Sequence, residues 1–360
     1  MERLRLRGCE MTDGGCSAVT SALNSNPSHL RELDLSGNKL GDSGFENLGD
    51  LLKNLQCKLE NLQLCKCSIQ EKQCKILASA LRSNPSHLRE LDLSGNELKH
   101  TRVEHFFELL RDSRCKLERL RLRSCDITAE DCGDVILALN SNPSHLRELD
   151  LSGNELGDSG VDNLSVLLGS SQCKLEKLHL CECSFTEKQC HLLTEGMCLN
   201  LSHLRELDLS GNQIENKGVE ILCKVLKNPQ CKLETLSLNA CGITDVSSLT
   251  QSLTSTKALQ FLKELKLSKN SIGSSKQKLI DVLKDSSCNL SLTEEEGGVI
   301  WKSGVKFFSV LTSSKPLDQP VKSTAQQKPL PDERSSEGKI EGDNTDHSAD
   351  ADKHEYGSSL

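Results

Sequence analysis

Apolar and polar residues follow two different rhythms along most of the chain. Around Leu33-Asp34-Leu35 they alternate singly, which predicts a short strand that buries the two leucines and exposes the aspartate. From Gly41 to Lys53 the apolar positions instead follow helical spacing, at Phe45, Leu48, Leu51 and Leu52. The pattern therefore predicts a strand followed by a helix, and the same order recurs along the chain.

This strand–helix unit repeats with a constant period. The stretch LRELDLSGN begins at Leu30, Leu88, Leu146 and Leu204, and a degenerate copy, LKELKLSKN, begins at Leu262. A second series, related to LExLxLxxC, begins at Met1, Leu59, Leu117, Leu175 and Leu233. Each series has a period of 58 residues, and the two are offset by 29, so ten units of 29 residues occupy residues 1–290. We call the first series the fixed half and the second the variable half.

A constant period in this range is typical of a stacked solenoid, in which each unit packs on its neighbours. We therefore predict an α/β fold with a parallel sheet on the concave face and helices on the convex face, a horseshoe. After each strand the backbone turns, and its N–H and C=O groups need partners that the sheet does not supply. The fixed half places asparagine at this point, which can both donate and accept. The predicted asparagine ladder is Asn38, Asn96, Asn154, Asn212 and Asn270.

Side chains on the concave face divide into two kinds. The second residue of each unit alternates in charge from Glu2 to Lys263, which predicts a ladder of ion pairs between neighbouring units. The third and fifth residues are acidic in four fixed units but change from unit to unit in the variable half. Such variation indicates either a binding surface on a rigid scaffold or drift at exposed sites. Our candidate partner-binding residues, in the arginine-rich middle, are Asp92, Arg119, Arg121, Arg123, Glu148, Asp150, Lys177, His179 and Asp208.

Composition argues against several classes of function. The formal net charge of −8 gives no electrostatic support to nucleic-acid binding. No apolar run reaches the roughly 20 residues of a membrane span, and the amino terminus has no apolar signal core. Most of the 18 cysteines follow the repeat, which favours buried free thiols in a reducing, cytoplasmic setting. The Cys65-Lys66-Cys67 and Cys181-Glu182-Cys183 pairs match no structural zinc pattern, and no catalytic constellation stands out. We predict neither enzyme activity nor a metal or cofactor.

The unit consensus LxxLxLxx(N/C)x(L/I) resembles the ribonuclease-inhibitor type of leucine-rich repeat. Its wording, LRELDLSGNxLGDSG alternating with CKLExLxLxxC, resembles the repeat regions of the large fish families of NOD-like receptors. This resemblance implies a non-catalytic recognition or autoinhibitory module of innate immunity. Its partner would be a protein ligand or the nucleotide-binding domain of such a receptor. The chain has no GxxxxGK[ST] motif, so we expect it to be the repeat portion of a receptor.

The competing interpretation is a stoichiometric inhibitor of a basic ribonuclease. The acidic positions of the fixed half would attract such an enzyme. However, the chain's only tryptophan and tyrosine, Trp301 and Tyr356, both lie beyond the ten units. Because aromatic anchors dominate tight protein interfaces, their absence from the units disfavours the inhibitor.

The sequence after the ten units changes in character. Residues 291–312 contain the apolar stretch VIWKSGVKFFSVL, which we predict to cover the last unit or to form a short partner-binding motif. Residues 313–360 are acidic and rich in serine, lysine and proline, and we predict that they are disordered.

Overall fold

In the computed structural model, eleven parallel strands follow one another in sequence order, and a twelfth runs antiparallel to the eleventh. The structure describes residues 2–25, 27–85, 87–98, 100–142, 145–200, 203–294 and 297–301. The strands are β1 (Arg3–Arg5), β2 (Glu32–Asp34), β3 (Asn61–Gln63), β4 (Glu90–Asp92), β5 (Arg119–Arg121), β6 (Glu148–Asp150), β7 (Lys177–His179), β8 (Glu206–Asp208), β9 (Thr235–Ser237), β10 (Glu264–Lys266), β11 (Asn289–Glu294) and β12 (Gly297–Trp301). The open sheet with alternating helices confirms the predicted α/β horseshoe.

A helix follows each of the first ten strands. The helices are α1 (Asp13–Asn24), α2 (Gly41–Lys53), α3 (Glu71–Ser83), α4 (His100–Arg111), α5 (Ala129–Asn140), α6 (Gly157–Gly169), α7 (Glu187–Leu199), α8 (Glu215–Lys227), α9 (Ser247–Ser255) and α10 (Ser275–Leu283). Short 3-10 turns occupy Pro27–His29 and Ala258–Gln260. Consecutive helices pack side by side, so each unit buries its apolar face against the next one.

The register of the sheet follows the period of the sequence. Leu33 lies beside Leu4 on one side and Leu62 on the other, and the same 29-residue shift holds from β1 to β10. The central leucines from Leu33 onward are buried between sheet and helices. Their flanking residues therefore point to the concave face, because side chains alternate along a strand.

Three helices of the variable half, α3, α5 and α7, begin with reciprocal caps. At α5 the Thr128 hydroxyl accepts from the Asp131 N–H at 3.3 Å, and the Asp131 carboxylate accepts from the Thr128 N–H at 3.2 Å. Thr186 and Gln189 form the equivalent box at α7. These caps satisfy N–H groups that the first helical turn leaves without partners.

The end of the array departs from the period. Asn289 of β11 pairs with Glu264 of β10, a step of 25 residues instead of 29, after the short helix α10. The boundary at residue 290 that the period predicted therefore falls inside a strand. Residues 297–301 of the segment expected to cover the last unit form β12, which pairs with β11. The remainder of that segment, 302–312, and the tail, 313–360, lie outside the described residues.

Candidate partner-binding surface

The fixed half holds its turns with an asparagine side chain in all five copies. The Asn154 amide donates to the carbonyls of Leu122, at 2.7 Å, and Leu151, at 2.8 Å, and its oxygen accepts from the N–H groups of Cys125 and Ile127. Asn38, Asn96, Asn212 and Asn270 likewise donate across the turn to the preceding unit and accept from it. All five asparagines are at most 7% exposed. Each side chain thus joins the backbones of two units.

Cysteine completes this network in the variable half. The Cys125 thiol donates to the Leu93 carbonyl at 3.3 Å, while its backbone N–H donates to Asn154. Cys67, Cys183 and Cys241 make the corresponding bonds. Side chains at the ninth position therefore link each unit to the next one through hydrogen bonds along the solenoid.

The aspartates of the fixed half also accept hydrogen bonds from the backbone. Asp150 accepts from the N–H of Ser152 at 2.9 Å, and Asp34, Asp92 and Asp208 accept from the equivalent serines. The Ser152 hydroxyl then accepts from the N–H of Cys181 in the next unit at 3.1 Å. Asp92, Asp150 and Asp208 are among the residues that the sequence predicts to bind a partner. The structure gives each of them a role in holding its own turn.

The glutamates of the fixed half anchor the cations beside them. Glu148 is 8% exposed and receives Arg121 at 2.5 Å and Arg119 at 3.6 Å. Arg119 also pairs with Glu90 of the preceding strand. Because these guanidinium groups share one nearly buried carboxylate, the two arginines are held in a defined position on β5.

The neighbouring strand carries a looser cluster. Lys177 reaches Glu206 at 3.1 Å and remains half exposed. His179 lies in register between Asp150 and Asp208. Within the described part of the chain, no ion pair or side-chain hydrogen bond involves His179 or Arg123. These two side chains are therefore free to contact another molecule.

The ladder at the second position pairs mainly in one direction. Arg31, Arg89, Arg147 and Arg205 each reach the glutamate of the following unit, at 2.7–3.8 Å, and Lys263 reaches back to Glu234. Most members are about 40% exposed, so each pair adds at most about 1 kcal/mol. The ladder fixes the order of units rather than supplying much stability.

The concave cysteines are protonated rather than reactive. Burial and the Asp208 carboxylate raise the pKa of Cys181 to about 12, and burial with Asp92 does the same for Cys65. The described residues contain no cluster of histidine, cysteine and carboxylate side chains able to hold a metal ion. No helix among them is both long and apolar enough to cross a membrane.

Sequence reasoning missed a cationic site near β10. Lys266 and Lys269 line a groove at the carboxyl ends of the last strands. The signal was present in the degenerate copy LKELKLSKN, where both lysines replace residues that are constant in the other four copies.

Comparison with known proteins agrees with the fold. The family model described as "Leucine Rich repeat" matches residues 26–49, 84–99, 142–165 and 200–223. All four ranges contain a copy of the fixed half. Among solved structures, the leucine-rich repeat-containing protein LegL7 from Legionella pneumophila is similar with a TM-score of 0.50 and 18% identity, over 82% of this chain and 92% of that one. At this identity the likeness concerns the fold alone.

Curated relatives fall into two groups. Ribonuclease inhibitor from Mus musculus is 38% identical over 273 residues, covering 76% of this chain and 59% of the relative. NACHT, LRR and PYD domains-containing protein 12 from Homo sapiens is 38% identical over 281 residues, covering 78% of this chain and 26% of the relative. The chain thus spans about three fifths of the first relative's length and about a quarter of the second's.

Proposed function

The chain is built from leucine-rich repeats of the ribonuclease-inhibitor type, and we propose that it is a non-catalytic module that recognises a protein partner. Its likeness to the NACHT-LRR relatives supports, as part of this proposal, a role in cytoplasmic innate immunity. The partner would be a separate protein or a nucleotide-binding domain joined to the repeats. Binding would occur on the concave face at β5 to β8.

One observation carries this proposal. The constant acids of the fixed half accept hydrogen bonds from backbone N–H groups or form ion pairs with cations. In contrast, the side chains of His179 and Arg123 in the variable half form no hydrogen bond or ion pair with any described residue. Two variable-half side chains in the candidate surface, His179 and Arg123, thus remain available for a partner, while Arg119, Arg121 and Lys177 are ion-paired. A rigid sheet that displays variable, unengaged side chains is the usual arrangement of a recognition surface.

The experiment compares two variants of equal charge. Lys177→Ala/His179→Ala changes the concave face, and Lys224→Ala/His191→Ala changes exposed residues of α8 and α7 on the convex face. Proteins captured by the wild-type chain are quantified by mass spectrometry, and the responding protein is then purified for affinity measurement. We expect at least a tenfold weaker Kd for the concave variant only. Equal losses for both variants, or none for either, would contradict the proposal.

A ribonuclease inhibitor is the second candidate, favoured by the 38% identity over 273 residues. Titration of the purified chain into a pancreatic-type ribonuclease assay distinguishes the two. We expect activity to persist at a twofold molar excess of the chain, because the ten units carry no tryptophan or tyrosine anchor. Inhibition that is complete at one equivalent would establish the inhibitor instead.

A further inference from the structure

A groove of about 510 Å³ crosses the carboxyl ends of β7 to β11. It exists because the residues that follow these strands are small. Cys181, Ser210, Asn239 and Ser268 occupy the seventh position of successive units and form its floor. Arg123, which lies two units before Cys181 in the sequence, also lines the groove.

Hydrogen bonds between units hold the floor together. The Ser210 hydroxyl oxygen accepts from the backbone N–H of Asn239 at 3.2 Å and from its side-chain amide at 3.3 Å. The Asn239 side-chain oxygen accepts from the N–H of Ser268 at 2.9 Å. Because its oxygen is occupied by two donors, the Ser210 hydroxyl hydrogen is directed away from them, toward other acceptors.

The groove is cationic because the fixed half departs from its own pattern there. Lys266 stands where the four earlier copies have aspartate, and Lys269 stands where they have glycine. Lys269 has a φ of 58°, a conformation that a side-chain-bearing residue adopts at a cost of about 1 kcal/mol. With Arg123 the lining has three cations, against the single carboxylate of Glu182.

Lys266 also lacks the acidic neighbours that other concave cations have. Arg121 lies in register between Asp92 and Asp150, whereas Lys266 lies between Ser237 and Ser291. Its ion pair, at 3.3 Å, is with Glu264 of its own strand. Together with the exposed Lys269, it leaves positive charge on this surface that no side chain described on the neighbouring strands neutralises.

We propose that this groove binds an extended, carboxylate-rich segment of the protein partner. The inference rests on the proposed function and specifies the chemistry of part of the partner. Four strand spacings of about 4.8 Å separate β7 from β11, or about 19 Å. An extended peptide of about six residues spans that length. Several carboxylates along such a segment would meet the cations and the hydroxyl groups of the floor.

The chain itself supplies the test variant. Lys266→Asp/Lys269→Gly restores the residues that the four earlier copies have at these two positions, so it should fold while it removes two of the groove's three cations. Lys58→Asp/Lys116→Gln makes the same change in charge at exposed residues near the amino ends of other strands. The probe is a fluorescein-labelled hexaglutamate peptide, measured by fluorescence anisotropy at increasing sodium chloride concentrations.

We expect the wild-type chain and the Lys58/Lys116 variant to bind hexaglutamate, with an affinity that falls as salt rises. Lys266→Asp/Lys269→Gly should weaken binding at least tenfold, and Glu182→Gln should strengthen it. Equal binding by all variants would overturn the proposal, as would absence of binding by the wild type. Displacement of the peptide by an equal concentration of inorganic phosphate would also overturn it, because a single anion would then suffice.

Failure here is distinguishable from failure of the proposed function. Lys177 and His179 do not line the groove. If their replacement abolishes partner binding while hexaglutamate does not bind, the groove proposal fails and the concave face remains the recognition surface. If hexaglutamate binds as expected but the partner is indifferent to Lys177 and His179, the proposed function fails while the affinity of the groove for carboxylates stands.

Discussion

At the ninth position of each unit, asparagine and cysteine divide the backbone hydrogen bonds between them. Asn154 reaches two carbonyls and two N–H groups, and Cys125 reaches a carbonyl that lies one unit further away. Both side chains are buried, so water cannot replace either one. The asparagine ladder therefore stabilises the turns by satisfying groups that would otherwise be buried without partners.

Replacing Asn154 with leucine should lower the free energy of unfolding by about 1–3 kcal/mol, because it leaves buried backbone groups without partners. Urea denaturation followed by circular dichroism measures the change. Gln172→Leu, at an exposed loop residue, makes the same chemical change without buried partners and should alter stability by less than about 0.5 kcal/mol. Similar losses in both variants would contradict the role given to the asparagine.

Buried thiols make stability sensitive to alkali. Burial raises the pKa of Cys125, Cys132 and Cys190 to about 12, whereas an unfolded thiol ionises near 9.0. The folded chain therefore holds protons that the unfolded chain releases. This contribution is complete below pH 9 and is lost as the pH rises toward 12.

We accordingly expect the urea midpoint to fall steadily as the pH rises from 9 to 11, measured by circular dichroism. Cys132→Ala should make that fall shallower, because one group with a raised pKa is removed. Cys9→Ala, at an exposed cysteine, is the control and should leave the slope unchanged. A slope that neither variant changes would mean that other groups cause the alkaline loss.

At the scale of the elements, helices α6 and α7 approach each other closely at Gly196. A Cβ added to Gly196 would overlap the carbonyl oxygen of Ser165 and lie 2.6 Å from its Cα. These contacts are to backbone atoms, so no side-chain rotation can relieve them. The separation of the two helices therefore depends on the absence of a side chain at this position.

Gly196→Ala should destabilise the chain by about 1–3 kcal/mol, because the helices must move apart. Gly14→Ala provides the opposite case in α1, where an added Cβ has no atom within 4 Å. That substitution should raise stability by about 0.4–1 kcal/mol through the unfolded state. Thermal unfolding of both proteins gives the two signs, and stabilisation by both would refute the packing argument.

At the scale of the whole molecule, the two halves complement each other. Each of the first four fixed units has a variable unit on both sides, so Glu148 meets Arg119 and Arg121 instead of another glutamate. Removing residues 117–145 would place two fixed units side by side and bring Glu90 opposite Glu148. Removing residues 88–145 would keep the alternation, with Glu148 opposite Asn61.

If only the number of units mattered, the longer deletion would be less stable, because a solenoid's stability is roughly a sum over its units. We expect the reverse order. Both deletions remove Arg119 and Arg121, the partners of Glu148. The shorter one sets this nearly buried carboxylate beside the like charge of Glu90, whereas the longer one sets it beside Asn61, whose amide donates to Glu90 at 3.0 Å and can donate to Glu148 in the same way. Melting temperatures of the two deletion proteins decide between these orders. A higher melting temperature for the 29-residue deletion would show that complementarity of the halves is unimportant.

The sequence predicted the features that depend on one unit and its period. The helix at Gly41–Lys53 follows from spacing alone. The strand predicted around Leu33-Asp34-Leu35 is observed one residue earlier, at Glu32–Asp34, and Asp34, which was expected to be exposed, is only 6% exposed because it turns to the backbone of its own turn. The contact of Ser152 with Cys181 does not follow from spacing, because it depends on how the turns of adjacent units meet. The contact of Asp150 with Ser152 lies within one turn, and the alternation of the strand gave no sign of it. The early position of β11 was also missed, since a shortened unit leaves no mark in a fixed period.

The glycines at the eighth position of the fixed half have a wider consequence. A Cβ on Gly95, Gly153 or Gly211 would lie 2.6–2.8 Å from the side chain of Lys66, Ser124 or Glu182 in the preceding unit. One copy departs from this rule: Lys269 replaces the glycine, and the preceding unit there has the small Ala240. A lysine, a serine and a glutamate are thus accommodated over the same empty space. Because the glycine has no side chain, the residue that faces it in the preceding unit can differ in size and charge while the two units keep the same packing.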